Sequence, residues 1–344
     1  MRSYRRLFLI LSCIFIGSNV FSQSKDAKAL VDTGVALYDR GKYNEAIEKY
    51  KQALIINPND LRADFEIAYT LQTLSRGIEA IPYLAMILKS NASKYETYEL
   101  LGSIYDDNNQ SEKAVESYKA GIKEKPDFER LHFNLSITYL RLKNYPEGES
   151  EAINAIKLDP KHASAQRAYA LATLYQNKKL CAIVGFCNFL LLEPQSERSK
   201  EVYQHLDKIF KDAAEQKNIN ITIDKNSKDI SAMSFSESSI VMAASTNKAL
   251  ENINTASSVE RLTNELKMIF TVTAEQSKKQ RDKDFFWNFY ADYFGKLAQT
   301  SNMPAFARLI SLSAYKDENL AWFREHDKEL NDLNKWLSTT ERSF

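Results

Sequence analysis

Along residues 27–196, small and bulky side chains recur with a period longer than any one helix or strand. In rows starting at Ala27, Leu61, Tyr95, Glu129 and Ala163, the eighth column reads Gly34, Ala68, Gly102, Ser136, Ala170. The twentieth reads Ala46, Ala80, Ala114, Gly148, Ala182. Bulky residues fill the eleventh column (Leu37, Leu71, Tyr105, Tyr139) and the twenty-fourth (Tyr50, Leu84, Tyr118, Phe186). Pro58, Pro126, Pro160 and Pro194 close four rows, and Ala92 takes that place in the second. Proline cannot continue a helix, so each row ends there. A fixed period of about 34 residues predicts a helix–turn–helix solenoid, in which each hairpin buries its core only against its neighbours.

This register resembles the tetratricopeptide repeat (TPR) family. The third row carries the resemblance best, through Tyr98, Leu101, Gly102, Tyr105, Ala114, Tyr118 and Pro126. Ala152, Thr173 and Phe189 depart from the pattern in the last two rows. The resemblance implies an all-α fold: a right-handed TPR superhelix of five hairpins and a capping helix, followed by a smaller helical domain. The cap is expected at 199–217, where Val202, Leu206, Ile209 and Phe210 have helical spacing. Ser93 with Glu96 reads as a capping box, and the stretches 41–44 and 107–110 as polar turns.

In that family the first helix of each hairpin lines a concave groove through its second, fifth, ninth and twelfth columns. Carried over, these are Arg62, Phe65, Tyr69 and Gln72, then Glu96, Glu99, Ser103 and Asp106. Row four supplies Arg130, Phe133, Ile137 and Leu140, and row five Arg167 and Leu171. Such a surface suits a peptide or helix held by apolar anchors and oriented by charge. The Lys/Asn arrangement that grips a C-terminal carboxylate in some TPR co-chaperones is absent, since Val31 and Val35 hold those places. In a competing arrangement, helices from 236–344 fold back and fill the groove.

Beyond residue 217 the period ends. Ile219, Ile221 and Ile223 alternate with polar residues, as in a short strand or an extended linker, and 218–238 is expected to join two domains. Helical spacing returns at 239–252 and, behind a capping box of Ser257 and Glu260, at 259–272. The run 285–294 places aromatics on nearly every side of a helix, which predicts a buried central element rather than a cofactor box. Pro304 starts another helix, and 318–337 is amphipathic.

The N-terminus reads as an export signal. Arg2, Arg5 and Arg6 precede an apolar stretch at 7–16, and Val20-Phe21-Ser22 suits cleavage before Gln23. The expected division is signal peptide 1–22, TPR array with its cap 23–217, linker 218–238 and helical domain 239–344. Lipidation at Cys13 is the alternative, disfavoured by the short apolar core before it and the Ile-Phe-Ile after it. Lys and Arg number 46 against 45 Asp and Glu, and 43 against 45 once the segment 1–22, with its three arginines and no acid, is removed. A chain so near neutrality offers no electrostatic footprint for nucleic acid. Cys181 and Cys187 stand six positions apart on one predicted helix, too far for a disulfide, and read as buried apolar residues.

Chemistry is sparse. His132, His162, His205 and His326 show no metal-ligand spacing, and no HExxH, CxxC, phosphate loop or nucleophile elbow occurs. Residues 106–109 carry oxygen ligands without the pattern of a calcium loop. The expectation is a non-catalytic interaction scaffold or adaptor in the periplasmic or extracellular space. It needs no cofactor or metal, and its partner is a protein or peptide, one that an envelope complex would supply. The alternative is an array that recruits a C-terminal domain with its own ligand or activity. A tail pocket gathering Asp292, Lys296, His326 and Glu329 would favour that alternative.

Overall fold

Two helices per row, each restarting at the same interval, set the architecture. The computed structural model describes residues 25–342 except 91, 93, 216–227 and 252–256. The expected signal peptide, Ser93 of the proposed capping box and the alternating isoleucines at 219–223 lie outside the described residues.

The elements are α1 (25–38), α2 (Tyr43–Ile56), α3 (Leu61–Thr73), α4 (Gly77–Lys89), α5 (Tyr95–Asp107) and α6 (Ser111–Glu124). They continue as α7 (Glu129–Arg141), α8 (Tyr145–Leu158), α9 (Ala163–Tyr175), α10 (Lys179–Leu192) and α11 (Glu197–Ala214). Then come α12 (Lys228–Glu251), α13 (Ser258–Ser277) and a π-helical turn (Phe286–Ala291) that runs into α14 (Asp292–Ala298). The last are α15 (Met303–Ile310), α16 (Lys316–Glu325) and α17 (Asp327–Thr339). No strand occurs among the described residues. The protein is an all-α solenoid of consecutive packed helix pairs with further helices after it.

The turn inside each hairpin has one geometry. Gly41, Ser75, Asn109, Lys143 and Asn177 all have positive φ, between 57° and 73°, and each holds the same place in its row. Each follows a first helix and ends it with paired backbone bonds. In the first hairpin the Gly41 N–H reaches the Tyr38 carbonyl (2.8 Å) and the Lys42 N–H reaches that of Leu37 (2.9 Å). The same pair recurs at Ser75/Arg76, Asn109/Gln110, Lys143/Asn144 and Asn177/Lys178. This is the Schellman closure, which satisfies carbonyls that a helix end leaves open.

The chain forms two compact units, 1–138 and 139–344. In the first, the small columns are contact points between helices. A methyl group on Gly34 would collide with the Tyr50 ring, and one on Gly102 would collide with that of Tyr118. Eighth-column glycine therefore coincides with twenty-fourth-column tyrosine, while row two pairs Ala68 with Leu84, both fully buried. Column four ties one row to the row before it: His132 Nε2 lies 2.9 Å from the Pro126 carbonyl. In the second unit Gln166 Nε2 donates to the Pro160 carbonyl in the same way (3.1 Å).

In the second unit, α11 keeps the grid as well as covering α10. First helices begin at 61, 95, 129, 163 and 197, so α11 opens a sixth row. Its partner α12 packs on it and begins at Lys228, earlier than the expected 239. The helix α10 contacts α9 and α11 on the solenoid side, and α12, α15 and the π-turn elsewhere. Enclosure on all sides explains its almost wholly apolar sequence, broken only by Lys179 at its start and Asn188, and Phe189 is buried where a TPR column is usually small. Thr173, the other departure in row five, is buried and bonds back to the carbonyls of Tyr169 (2.9 Å) and Ala170 (3.0 Å).

The aromatic run is central, as expected, but not purely α-helical. Phe286, Trp287, Phe289, Tyr290, Tyr293 and Phe294 are all buried. The Tyr290 ring stacks on Tyr169 at 5.2 Å and its hydroxyl donates to Gln166 Oε1, joining the late helices to row five. The Ser257–Glu260 capping box forms in both directions. The amphipathic stretch at 318–337 is two helices rather than one, because the chain breaks at His326 (φ −129°, ψ 47°). There Nδ1 sits 2.9 Å from the Trp322 carbonyl and the two rings stack at 4.1 Å.

Candidate functional site

Helices α3, α5 and α7 carry the groove columns of the first unit. Phe65 and Tyr69 are one turn apart on α3, and their rings lie nearly parallel at 6.4 Å. Tyr38 of α1 leans on Tyr69 at 5.7 Å while its hydroxyl meets Thr73 Oγ1 at 3.0 Å. Tyr69 remains 44% exposed. With Gln72, Glu96, Glu99, Leu100, Ser103, Phe128 and Arg130, this aromatic pair lines a cleft of about 260 Å³. The sequence columns thus bring Phe65, Tyr69, Gln72, Glu99, Ser103 and Arg130 together. Phe128 and Leu100 belong to the cleft but stand outside the expected columns; Phe128 ends row three and Leu100 directly follows Glu99 on α5, and only their apolar character could have suggested them.

Charges around the cleft are already partly paired. Arg130 donates to Glu99 (2.7 Å), which also accepts from Asn134 (3.3 Å). Arg62 donates to Asp32 (2.7 Å) and lies 4.0 Å from Glu66. Gln72 donates to Asp107. Burial holds the Glu66 and Glu99 carboxyls above the usual range, against the opposing pull of Arg62 and Arg130. Tyr69 is also raised, first by the neighbouring Tyr38 and then by burial.

Other groove positions are placed differently. Asp106 is buried, and its carboxylate accepts from Thr138 and from Ser111 (3.3 Å), so it ties α5 to its neighbours. Phe133 and Ile137 are half-buried on α7. In the second unit Arg167 bonds Glu201 of α11 (2.8 Å), Arg198 reaches Ser164 (2.9 Å), and Leu171 is half-buried. In that unit the late helices pack on α10, the second helix of row five, and the π-turn reaches Gln166 and Tyr169 of α9.

The tail residues named as a possible catalytic group do not gather. Asp292 is held by Lys283 (2.7 Å) and Ser277 (2.6 Å), His326 stacks on Trp322, and Lys296 and Glu329 are exposed. A polar cleft of about 380 Å³ lies instead among α11, α12 and α13, with Asp207, Lys211, Lys248, Arg261, Glu265 and Tyr315 in its lining. Asp207 and Lys211 pair there, and Lys248 reaches the Ala214 carbonyl (3.4 Å). Cys181 and Cys187 are buried and unbridged. Burial pushes the Cys181 thiol up to about 12 and raises Cys187 further, so neither supplies a thiolate near neutrality. Among the described residues no helix is long and apolar enough to cross a membrane, and no three His, Cys, Asp or Glu side chains cluster as metal ligands would.

Paired helices on a fixed grid, closed by one repeated turn, define a repeat scaffold with a lined groove. The chain carries tetratricopeptide repeats: family models described as TPR repeat and tetratricopeptide repeat match residues 34–75 and 95–128. It is similar to human protein O-mannosyl-transferase TMTC1, at 25% identity over 189 residues, 54% of this chain and 21% of that protein. A phagocyte signaling-impaired protein of Drosophila pseudoobscura pseudoobscura is 27% identical over 130 residues, 37% of this chain and 14% of that one. The chain therefore spans about a fifth or less of the length of these curated relatives. Among solved structures, Pseudomonas aeruginosa pilF superposes with a TM-score of 0.50 at 18% identity, covering 70% of this chain and 97% of that one. MamA superposes with a TM-score of 0.46 at 19% identity, covering 49% and 93%. Arrays of this kind are protein-interaction scaffolds whose extended concave faces bind partners.

Proposed function

We propose that this protein is an exported, non-catalytic adaptor that captures a peptide or helix on the groove of its first unit. One observation carries the reading: the Phe65–Tyr69 pair presents an aromatic platform with Tyr69 44% exposed. The aromatics of the π-turn and α14, by contrast, are buried. Exposed tyrosine among partly paired charges is the composition of an interaction hot spot, since a rigid ring gains contact area at little entropic cost. The basic, apolar and small-residue segments at 1–22 support export, which would put the partner in the periplasmic or extracellular space, within an envelope complex.

The test is the double variant Tyr69→Ala/Phe133→Ala, used as bait on native envelope extract. Loss of the co-purifying protein with unchanged far-UV circular dichroism is expected. Capture equal to that of the unmodified chain would reject the assigned face. Export is checked by the intact mass of the native protein, which should begin at Gln23.

A further inference from the structure

We propose that the groove of the first unit selects a basic peptide segment, one that carries arginine beside an apolar side chain. This rests on the reading of that groove as the binding face. Five carboxylates line the cleft or bond to its groove-column residues: Glu96 and Glu99 in the lining, Asp32 and Glu66 beside Arg62, and Asp107 bonded to Gln72. The cations beside them are Arg62 and Arg130, and both are already committed, to Asp32 and Glu66 and to Glu99. Negative charge is therefore in excess, and Glu96 is exposed at the mouth of the cleft. Burial raises Glu66 and Glu99 although each has an arginine beside it, so a further cation would find carboxylates short of compensation.

The apolar half of the site sets the second requirement. Phe65, Tyr69, Leu100 and Phe128 wall the same cleft that Glu96 and Glu99 border. A guanidinium laid on the open face of Tyr69 gains cation–π attraction and stays within reach of a carboxylate. The neighbouring aliphatic side chain of the peptide would then enter between Leu100 and Phe128. An acidic peptide would meet the excess of like charge at Glu96 and Glu99, which is how such a surface rejects wrong partners.

Three fluorescein-labelled peptides of equal length test this by fluorescence anisotropy with the full chain: alternating Arg-Leu, Gln-Leu and Glu-Leu. The expected order is Arg-Leu tightest, at least about tenfold above Gln-Leu, with Glu-Leu unbound. The Arg-Leu affinity should fall between about 50 and about 300 mM salt as exposed charges are screened. Glu96→Gln should weaken only the Arg-Leu peptide, and Tyr69→Ala should weaken both peptides that bind. Gln-Leu or Glu-Leu binding as tightly as Arg-Leu, still sensitive to Tyr69→Ala, would overturn the basic preference and leave the face standing. Binding indifferent to Tyr69→Ala, or no binding by any peptide, would overturn both.

Discussion

The repeated left-handed turn residue isolates a single energy term. Of the five positions, only the first is glycine; Ser75, Asn109, Lys143 and Asn177 hold the same conformation with a side chain attached. An L-residue there costs roughly 1–2 kcal/mol, because Cβ crowds the following carbonyl. Asparagine tolerates the region better than lysine or serine. Glycine escapes the strain but loses more backbone freedom on folding, which returns about 0.5–1 kcal/mol. Lys143→Gly should therefore stabilise by about 0.5–1 kcal/mol, Asn109→Gly should be close to neutral, and Gly41→Ala should destabilise by about 1 kcal/mol. Gly41 is a clean control, since a methyl group there would meet no atom within 4 Å and can act only through the dihedral. Urea titrations followed by far-UV circular dichroism measure the change. With a slope of about 2–3 kcal/mol/M, an effect of about 1 kcal/mol moves the midpoint by roughly 0.3–0.5 M. Long repeat arrays can unfold in stages, so amide exchange at the residue following each turn is the local check. A destabilised Lys143→Gly together with a neutral Gly41→Ala would refute the reasoning.

The packing columns make a second prediction. Gly102→Ala places a methyl group against the Tyr118 ring and should cost about 1–3 kcal/mol, while adding Tyr118→Leu, the combination row two already uses, should recover much of it in a double-mutant cycle. Tyr290→Phe removes the buried hydroxyl that Gln166 accepts from and should cost about 1–2 kcal/mol by thermal melt, with the fold retained. Asp64, buried in the first turn of α3, is raised by burial, and then by Asp60, from 3.8 to about 6. The folded state thus holds its proton over a pH range where the unfolded chain has lost it, and the carboxylate opposes folding increasingly between about pH 4 and 6. Asp64→Asn should be more stable than the native chain by about 1 kcal/mol at about pH 7, solvent screening included, and the gap should close below about pH 4.

Much of the array was legible because repetition averages over local ambiguity. One glycine opposite one tyrosine says little, but Gly34 with Tyr50 and Gly102 with Tyr118, two rows on and in register, specify a helix crossing. The groove columns came with the family resemblance, and residues sharing a column share a helix face because position in the row sets direction. What escaped was where period and packing part company. The sixth first helix at 197 kept the grid but lost its small-residue signature, because α12 covers it instead of a standard second helix. The break at His326 left no mark, as both sides of it keep apolar residues at helical spacing.

From residue order alone came the hairpins and their regular spacing, both consequences of local periodicity, while the groove side of each first helix was implied by the family resemblance. Tertiary structure alone decided which of those groove groups stay available. Asp106 is consumed by Thr138 and Ser111, and Arg167 by Glu201, whereas Tyr69 stays open. The reason is that a side chain's column determines its direction, but the partners that consume it come largely from the next row, which no local pattern encodes.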